Sequence, residues 1–334
     1  MKKPKYITDD SKMIAIAPSF GVTFSPYLER YKASIENLNE LGYTFDEGNN
    51  VHLNVGLMAS NTAKKRAEEF QKAYLDDKYD AIFSVGGGET MCEILPYIDF
   101  NKIKRSRPKW FIGYSDNTNL TFTLTTICDV ESIYGPCLTT YYEKPLRLSE
   151  ENVFKMLKGE KHFEGYPYYS KETNDKDDPF NRLNLTEKKE VISKNYTKPI
   201  EGILLGGCLD CLLTIVGTKF DKVKEFKKRH NEKIIWFLES CDLSLLGIRR
   251  GLFQLIESSW LTDCAAIIIG RENKNEYFDS GISKEECYSI LDDLNVPILF
   301  DCDFGHIPPV LPIRCGAKCK ITYKDQNIIM DYYD

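Results

Sequence analysis

Asp80-Ala81-Ile82-Phe83-Ser84-Val85-Gly86-Gly87-Gly88-Glu89 and Trp110-Phe111-Ile112-Gly113-Tyr114-Ser115-Asp116-Asn117 decide the fold. Each is a short apolar run stopped by a turn and followed by a helical pattern, Thr90 to Ile98 after the first and Asn117 to Ile127 after the second. Such a run reads as a strand buried on both faces. Buried strands separated by helices pair in parallel, with right-handed crossovers.

The same rhythm extends in both directions. Met13 to Ala17 is a strand, and Ser25-Pro26 opens a helix reaching Leu41-Gly42. Asn61 or Thr62 opens another, ending near Lys78, and Ser132 to Tyr134 is a further strand. In the second half, Glu201 to Leu205 is a strand ending at Gly206-Gly207, followed by a helix from Cys208 to Gly217. Lys233 to Leu238 is a strand with Glu239 at its end, and Leu245 to Trp260 is helical. Strand, helix and strand follow at Ala265 to Ile269, Ser283 to Leu291 and Val296 to Phe300, and a terminal hairpin joins Lys318 to Tyr323 with Asn327 to Tyr332. Between the halves, Tyr166 to Lys198 is polar, weakly periodic and punctuated by Pro167 and Pro179. Long segments of this kind are connectors or lids. The expected organisation is two α/β domains, residues 1–165 and 200–334, joined by a connector and candidate lid at 166–199.

Composition narrows the function. Of 334 residues, 42% are hydrophobic and 28% charged, the balance of a soluble chain with a real core. A net charge of −6 argues against a nucleic-acid partner. The basic run Lys222 to His230 reads as one solvated helix face. No apolar export segment follows Met1 to Asp10, and Gly202 to Val216, interrupted by Asp210, is too short for a membrane span. The expected location is the cytoplasm, without membrane attachment. The eleven cysteines are then free thiols. Cys208 and Cys211 have CxxC spacing, and Cys315 and Cys319 form a looser pair, but the first pair opens an apolar helix and reads as core rather than zinc ligands. Neither metal nor cofactor is expected.

Ligands of open parallel sheets bind beyond the carboxyl ends of the strands. Those ends carry Gly86 to Glu89, Ser115-Asp116, Glu239-Ser240 and Gly305-His306, the parts required for acyl transfer. Ser115 occupies a strand–turn–helix junction of the kind that exposes a nucleophilic hydroxyl, and Asn117 stands where a glycine is usual. The alternative is a helix cap. Of four histidines, His52, His162 and His230 lie in polar or basic surroundings, whereas His306 precedes Ile307-Pro308-Pro309 just past a buried strand. Glu239 ends an apolar strand and is the candidate acid to orient that imidazole, with Asp242 and Asp301 as competitors. Amides of Gly88 and Asp116 are the candidate oxyanion hole.

Together, Ser84-Val85-Gly86-Gly87-Gly88-Glu89, Leu95-Pro96-Tyr97-Ile98-Asp99, Phe111 to Asp116, Tyr134-Gly135-Pro136, Glu201 to Gly207, Phe237-Leu238-Glu239 and Gly305-His306 resemble the LD-carboxypeptidase family of serine peptidases. The resemblance runs from about Met13 to Tyr323 in the order Ser, Glu, His. It implies a flavodoxin-like or amidotransferase-like first domain, a smaller α/β second domain, an active site in the cleft between them and a metal-free homodimer. It also implies a small substrate, either a murein LD-tetrapeptide or a peptide-nucleotide conjugate as in the microcin C self-immunity branch. Leu95 to Asp99 and the long connector resemble that branch more. Two features depart from it: Cys208 replaces an asparagine, and no tryptophan lies between Trp110 and Trp236 to stack on a base. Tyr166, Tyr168, Tyr169 and Phe180 are the aromatic substitutes. Two readings of other classes compete: a kinase binding nucleotide at Gly86 to Gly88, and a non-catalytic two-lobed small-molecule-binding protein.

Overall fold

The structure, a computed structural model, describes residues 1–170, 178–180, 184–271 and 281–334. The first half alternates as the apolar runs require: β1 (Met13–Ile16), α1 (Tyr27–Glu40), β2 (Phe45–Glu47), α2 (Ala63–Leu75), β3 (Ala81–Ser84), α3 (Phe100–Arg105), β4 (Trp110–Gly113), α4 (Thr118–Cys128) and β5 (Ser132–Tyr134). β1, β3 and β4 are buried along their whole length, which only a sheet covered on both faces allows. α5 (Leu148–Leu157) and β6 (His162–Glu164) lead into the connector, which holds β7 (Tyr168–Tyr169), β8 (Glu187–Lys188) and β9 (Ile192–Lys194). The second half runs β10 (Ile200–Cys208), α6 (Leu209–Ile215), α7 (Val223–Arg229), β11 (Ile234–Glu239), α8 (Leu245–Glu257), β12 (Ala266–Gly270), α9 (Lys284–Tyr288), β13 (Ile298–Cys302), β14 (Ile313–Cys315), β15 (Lys318–Lys324) and β16 (Asn327–Tyr332).

Two sheets result. One has the order β14-β5-β4-β3-β1-β2, parallel except for β14. The other has the order β6-β16-β15-β10-β11-β12-β13-β9, with a parallel centre from β10 to β13 and antiparallel flanks. Each half lends the other a strand: β14 closes the edge of the first sheet, and β6 closes that of the second. The terminal hairpin extends the second sheet through β15 on β10.

α4 lies between the sheets, touching β4 and β5 on one side and β10 on the other. It is buried on nearly every face. Its threonines are tolerated because Thr123 and Thr126 donate back to the carbonyls of Asn119 (2.5 Å) and Phe122 (2.9 Å). Phe122 stacks on Trp260 (5.0 Å between centroids), which stacks on Trp236 of β11 (5.6 Å). Whatever precedes α4 is thereby held against both sheets.

Two local expectations are corrected. Thr90 to Ile98 forms a 3₁₀ helix, Met91–Tyr97, because Pro96 lacks the N–H an α-helical ladder requires. β10 does not stop at Gly206-Gly207 but continues to Cys208. Both glycines have positive φ (+155° and +144°), and Thr118 of α4 fills the space where a side chain at 207 would project. No helix among the described residues is long and apolar enough to cross a membrane.

Much of the connector is built into the fold. β9 pairs with the edge strand β13, Tyr166 is buried, and β7 pairs with β8. Residues 171–177 and 181–183, within the candidate lid, lie outside the described residues. Beneath the His306 segment, Asp303 is fully buried and accepts from Lys189, Arg271 and the Tyr166 amide (2.7 Å). Removing one partner of a buried charge set leaves the others uncompensated. Asp303→Ala is therefore expected to lower unfolding free energy by about 3–5 kcal/mol, measured in urea.

Candidate active site

Ser115 follows β4 and has left-handed backbone (φ +62°), rare for a residue with a side chain. The next residues form a 3₁₀ turn, Ser115–Asn117, feeding α4. Asn117 secures the turn by donating to the carbonyls of Gly86 (3.0 Å) and Tyr114 (2.9 Å). The Asp116 carboxylate is buried and accepts from the Ser19 hydroxyl, the Met91 amide (2.9 Å) and Asn119 (3.1 Å). Burial pushes the Asp116 carboxyl up, against the pull of those hydrogen bonds. Its side chain thus ties the loop after β1 and the 3₁₀ helix that follows the glycine-rich segment to the start of α4.

That segment faces the serine. A side chain at Gly87 would begin 3.2 Å from Ser115 Oγ, so glycine leaves the hydroxyl its space. Gly88 has φ +139°, and Ser19 occupies the place a side chain would take. From the second sheet, the Cys208 amide donates to Thr118 Oγ1 (3.0 Å), and the Cys211 thiol reaches the Ser115 carbonyl (3.5 Å). All eleven cysteines are free thiols, and no cluster of three or more His, Cys, Asp or Glu among the described residues is placed to hold a metal.

Glu239, the last residue of β11, is 2% exposed. Its Oε2 accepts from His306 Nδ1 at 2.8 Å, and its Oε1 accepts from the Tyr134 hydroxyl. Gly305 makes the first contact possible, because a side chain there would start 2.8 Å from Glu239 Oε2. Arg271 fixes the loop by donating to the carbonyls of Ile307 and Pro309, both at 3.3 Å. Burial disfavours a charge on His306, but the Glu239 carboxylate and the neighbouring Cys241 side chain outweigh it and hold the imidazole well above its ordinary value. The His306 ring lies 5.2 Å from that of Tyr114, the residue preceding the serine.

Glu239 and His306 are thus joined directly. Ser115 is linked to them through neighbours, since its amide donates to the Tyr134 hydroxyl (3.3 Å) that also holds Glu239. His306 Nε2 is buried without a hydrogen-bond partner among the described residues, so Ser115 Oγ does not bond it in this structure. Hydrogen bonds of this type are often open without substrate and tighten when it binds. The competing residues have other partners. Asp301 pairs with Lys284 (2.6 Å), and Asp242 donates its amide to Asp210 (3.0 Å). His52, His162 and His230 pair with Glu47, Asp331 and Asp129. Of the connector aromatics, Tyr166 is buried and bonded to Asn152, and Tyr169 lies under Arg271.

Two contributors were not singled out from sequence. Asp210 holds the turn after Glu239 by accepting from Ser240 Oγ (2.9 Å) and the Cys241 amide (3.3 Å). Tyr134 ends β5, and that strand-end position was the available signal.

Comparison with known proteins agrees with this architecture. Residues 14–135 match the LD-carboxypeptidase N-terminal domain and residues 201–321 its C-terminal domain, together more than half of the chain. The chain is 29% identical over 282 residues to the microcin C7 self-immunity protein MccF of Escherichia coli, covering 80% of this chain and 78% of that one. The structure of MccF in complex with glutamyl sulfamoyl guanosine superposes with a TM-score of 0.85 at 22% identity, over 99% of this chain and 98% of that one. The muramoyltetrapeptide carboxypeptidase from Oxalobacter formigenes superposes with a TM-score of 0.73 at 20% identity, over 97% and 99%. Two matching domains in family order, over one two-sheet fold, make this chain a member of the LD-carboxypeptidase family, an enzyme of its carboxypeptidase or microcin-immunity hydrolase kind.

Proposed function

We propose that the enzyme is a serine amidohydrolase cleaving a C-terminal amide through an acyl-enzyme on Ser115. The observation that carries this reading is the 2.8 Å Glu239–His306 pair beside a serine held in left-handed backbone at the mouth of a buried helix. In the first half-reaction, Ser115 Oγ attacks the amide carbonyl and its proton passes to His306 Nε2. The carbonyl oxygen becomes an oxyanion facing the amides of Gly88 and Asp116. His306 then returns the proton to the leaving nitrogen as the C–N bond breaks. Water, deprotonated by the same imidazole, releases the acid and restores the serine. Glu239 holds the ring orientation and stabilises the imidazolium.

The substrate is a small peptide or peptide-nucleotide conjugate, and the reading places the enzyme in the cytoplasm as a homodimer. With Tyr166 and Tyr169 engaged in packing, the exposed connector aromatics are Tyr168 and Phe180, at 49% and 48%. Side-by-side assays on a murein LD-tetrapeptide and an aminoacyl sulfamoyl adenosine test the reading; turnover of neither by the pure enzyme would refute it.

The pH profile is a further expectation. Only neutral His306 accepts the serine proton, and its pKa is held above 6.5. kcat/KM should therefore rise with pH along a limb lying above that value. The stabilisation from the charged pair runs oppositely: it is complete below pH 6.5 and fades as pH climbs through the folded-state pKa.

A further inference from the structure

We infer that Tyr134 is a positioning residue of the reaction, its hydroxyl setting the strength and place of Glu239 while anchoring the nucleophile's backbone. The inference rests on the serine-hydrolase reading above. Ser115 follows β4 of the first sheet, whereas Glu239 ends β11 of the second and His306 lies in the loop leaving β13 of the second. The catalytic groups therefore meet only if something fixes one sheet's strand ends relative to the other's. Tyr134 is fully buried at the end of β5, one strand away from Ser115. Its hydroxyl accepts from the Ser115 amide at 3.3 Å and donates to Glu239 Oε1, across the boundary between the sheets.

The chemistry follows from which atoms are engaged. Glu239 shares its charge between two donors, the phenol on Oε1 and the imidazole on Oε2. A phenol donating to one oxygen withdraws electron density from the carboxylate and weakens its hold on the imidazolium. Tyr134 thus keeps His306 from becoming too strong a base to release its proton to the leaving nitrogen. Burial next to Glu239 pushes the Tyr134 hydroxyl well above its ordinary pKa, so it remains a donor. The other ionisable groups facing these three side chains include Cys208, Cys211, Cys241, Tyr114 and Glu89. Tyr134's ring packs against Phe237 (5.5 Å) and Tyr114 (6.3 Å), contacts that phenylalanine preserves.

The test is Tyr134→Phe in the full chain, read in two ways. With substrate, kcat should fall roughly 10- to 30-fold with KM within about twofold, and the acid limb should move to higher pH. Without substrate, NMR titration of ¹⁵N-histidine, with His306→Gln to assign the signal, should show the imidazolium of His306 persisting to higher pH in the variant. The second readout stands even if neither proposed substrate is turned over, so it separates this inference from the hydrolase reading. Global 3-fluorotyrosine labelling strengthens the phenol as a donor and should move the same titration downward, which covers failure of Tyr134→Phe to fold. An unmoved His306 titration in the folded variant, or a shift upward on fluorination, overturns the inference.

Discussion

Ser115→Ala is expected to lower kcat/KM by about 10³-fold or more while leaving the fold and KM largely intact. The loss is in chemistry because, in the proposed mechanism, Oγ forms the covalent bond. Residual turnover would come from the oxyanion amides and from binding alone. Little stability should be lost. The turn at Ser115 is held by Asn117 on the Gly86 carbonyl, by Asp116 on Ser19 and Met91, and by the Ser115 amide on Tyr134, none of which uses the serine side chain. Alanine carries the same left-handed backbone cost as serine. Stopped assays of the purified variant against wild type, with thermal melting as control, measure both. Activity within tenfold of wild type would exclude Ser115 as nucleophile.

His306→Ala should cost a comparable factor, about 10³-fold or more, because the proposed mechanism passes proton removal and proton return through one imidazole. This variant also strands Glu239, buried at 2% exposure, with only the Tyr134 hydroxyl on its side chain, so some stability should be lost with the activity. His306→Gln is the companion variant. It offers the carboxylate an N–H donor yet transfers no proton, and it should be as inactive as alanine but more stable. Glu239→Gln should remain measurably active, because the residue orients the base and does not carry the proton. Its acid limb should drop toward the ordinary histidine value of 6.5, since the charge that raises His306 is gone. An unchanged limb in Glu239→Gln would mean that another group sets it.

The alternating α/β plan was legible because β1, β3, β4, β11 and β12 are short, uniformly apolar and bounded by turns. Strand ends could be read as the site because parallel sheets place their loops at one edge. Sequence did not show that β14 crosses to the first sheet. Ile313-Arg314-Cys315 has no pattern distinguishing it from loop, and its pairing with β5 depends on Arg314 finding Glu131 (2.6 Å) in the interior. Gly206-Gly207 read as a stop because glycine usually ends a strand. Here glycine is required for the opposite reason, to let β10 pass Thr118. Tyr134 escaped notice as chemistry because its two partners lie 19 and 105 residues away. Asp210 read as an interruption of an apolar run, when its carboxylate secures the turn that follows Glu239.

In the proposed mechanism Ser115 becomes a nucleophile through His306, although the two side chains are not bonded in this structure. Fluorophosphonate labelling followed by mass mapping of the digested protein tests it most directly. One adduct is expected, on Ser115, absent in Ser115→Ala and formed at least about 100-fold more slowly in His306→Ala. An adduct on any other residue, or labelling of Ser115 at an unchanged rate without His306, would contradict it.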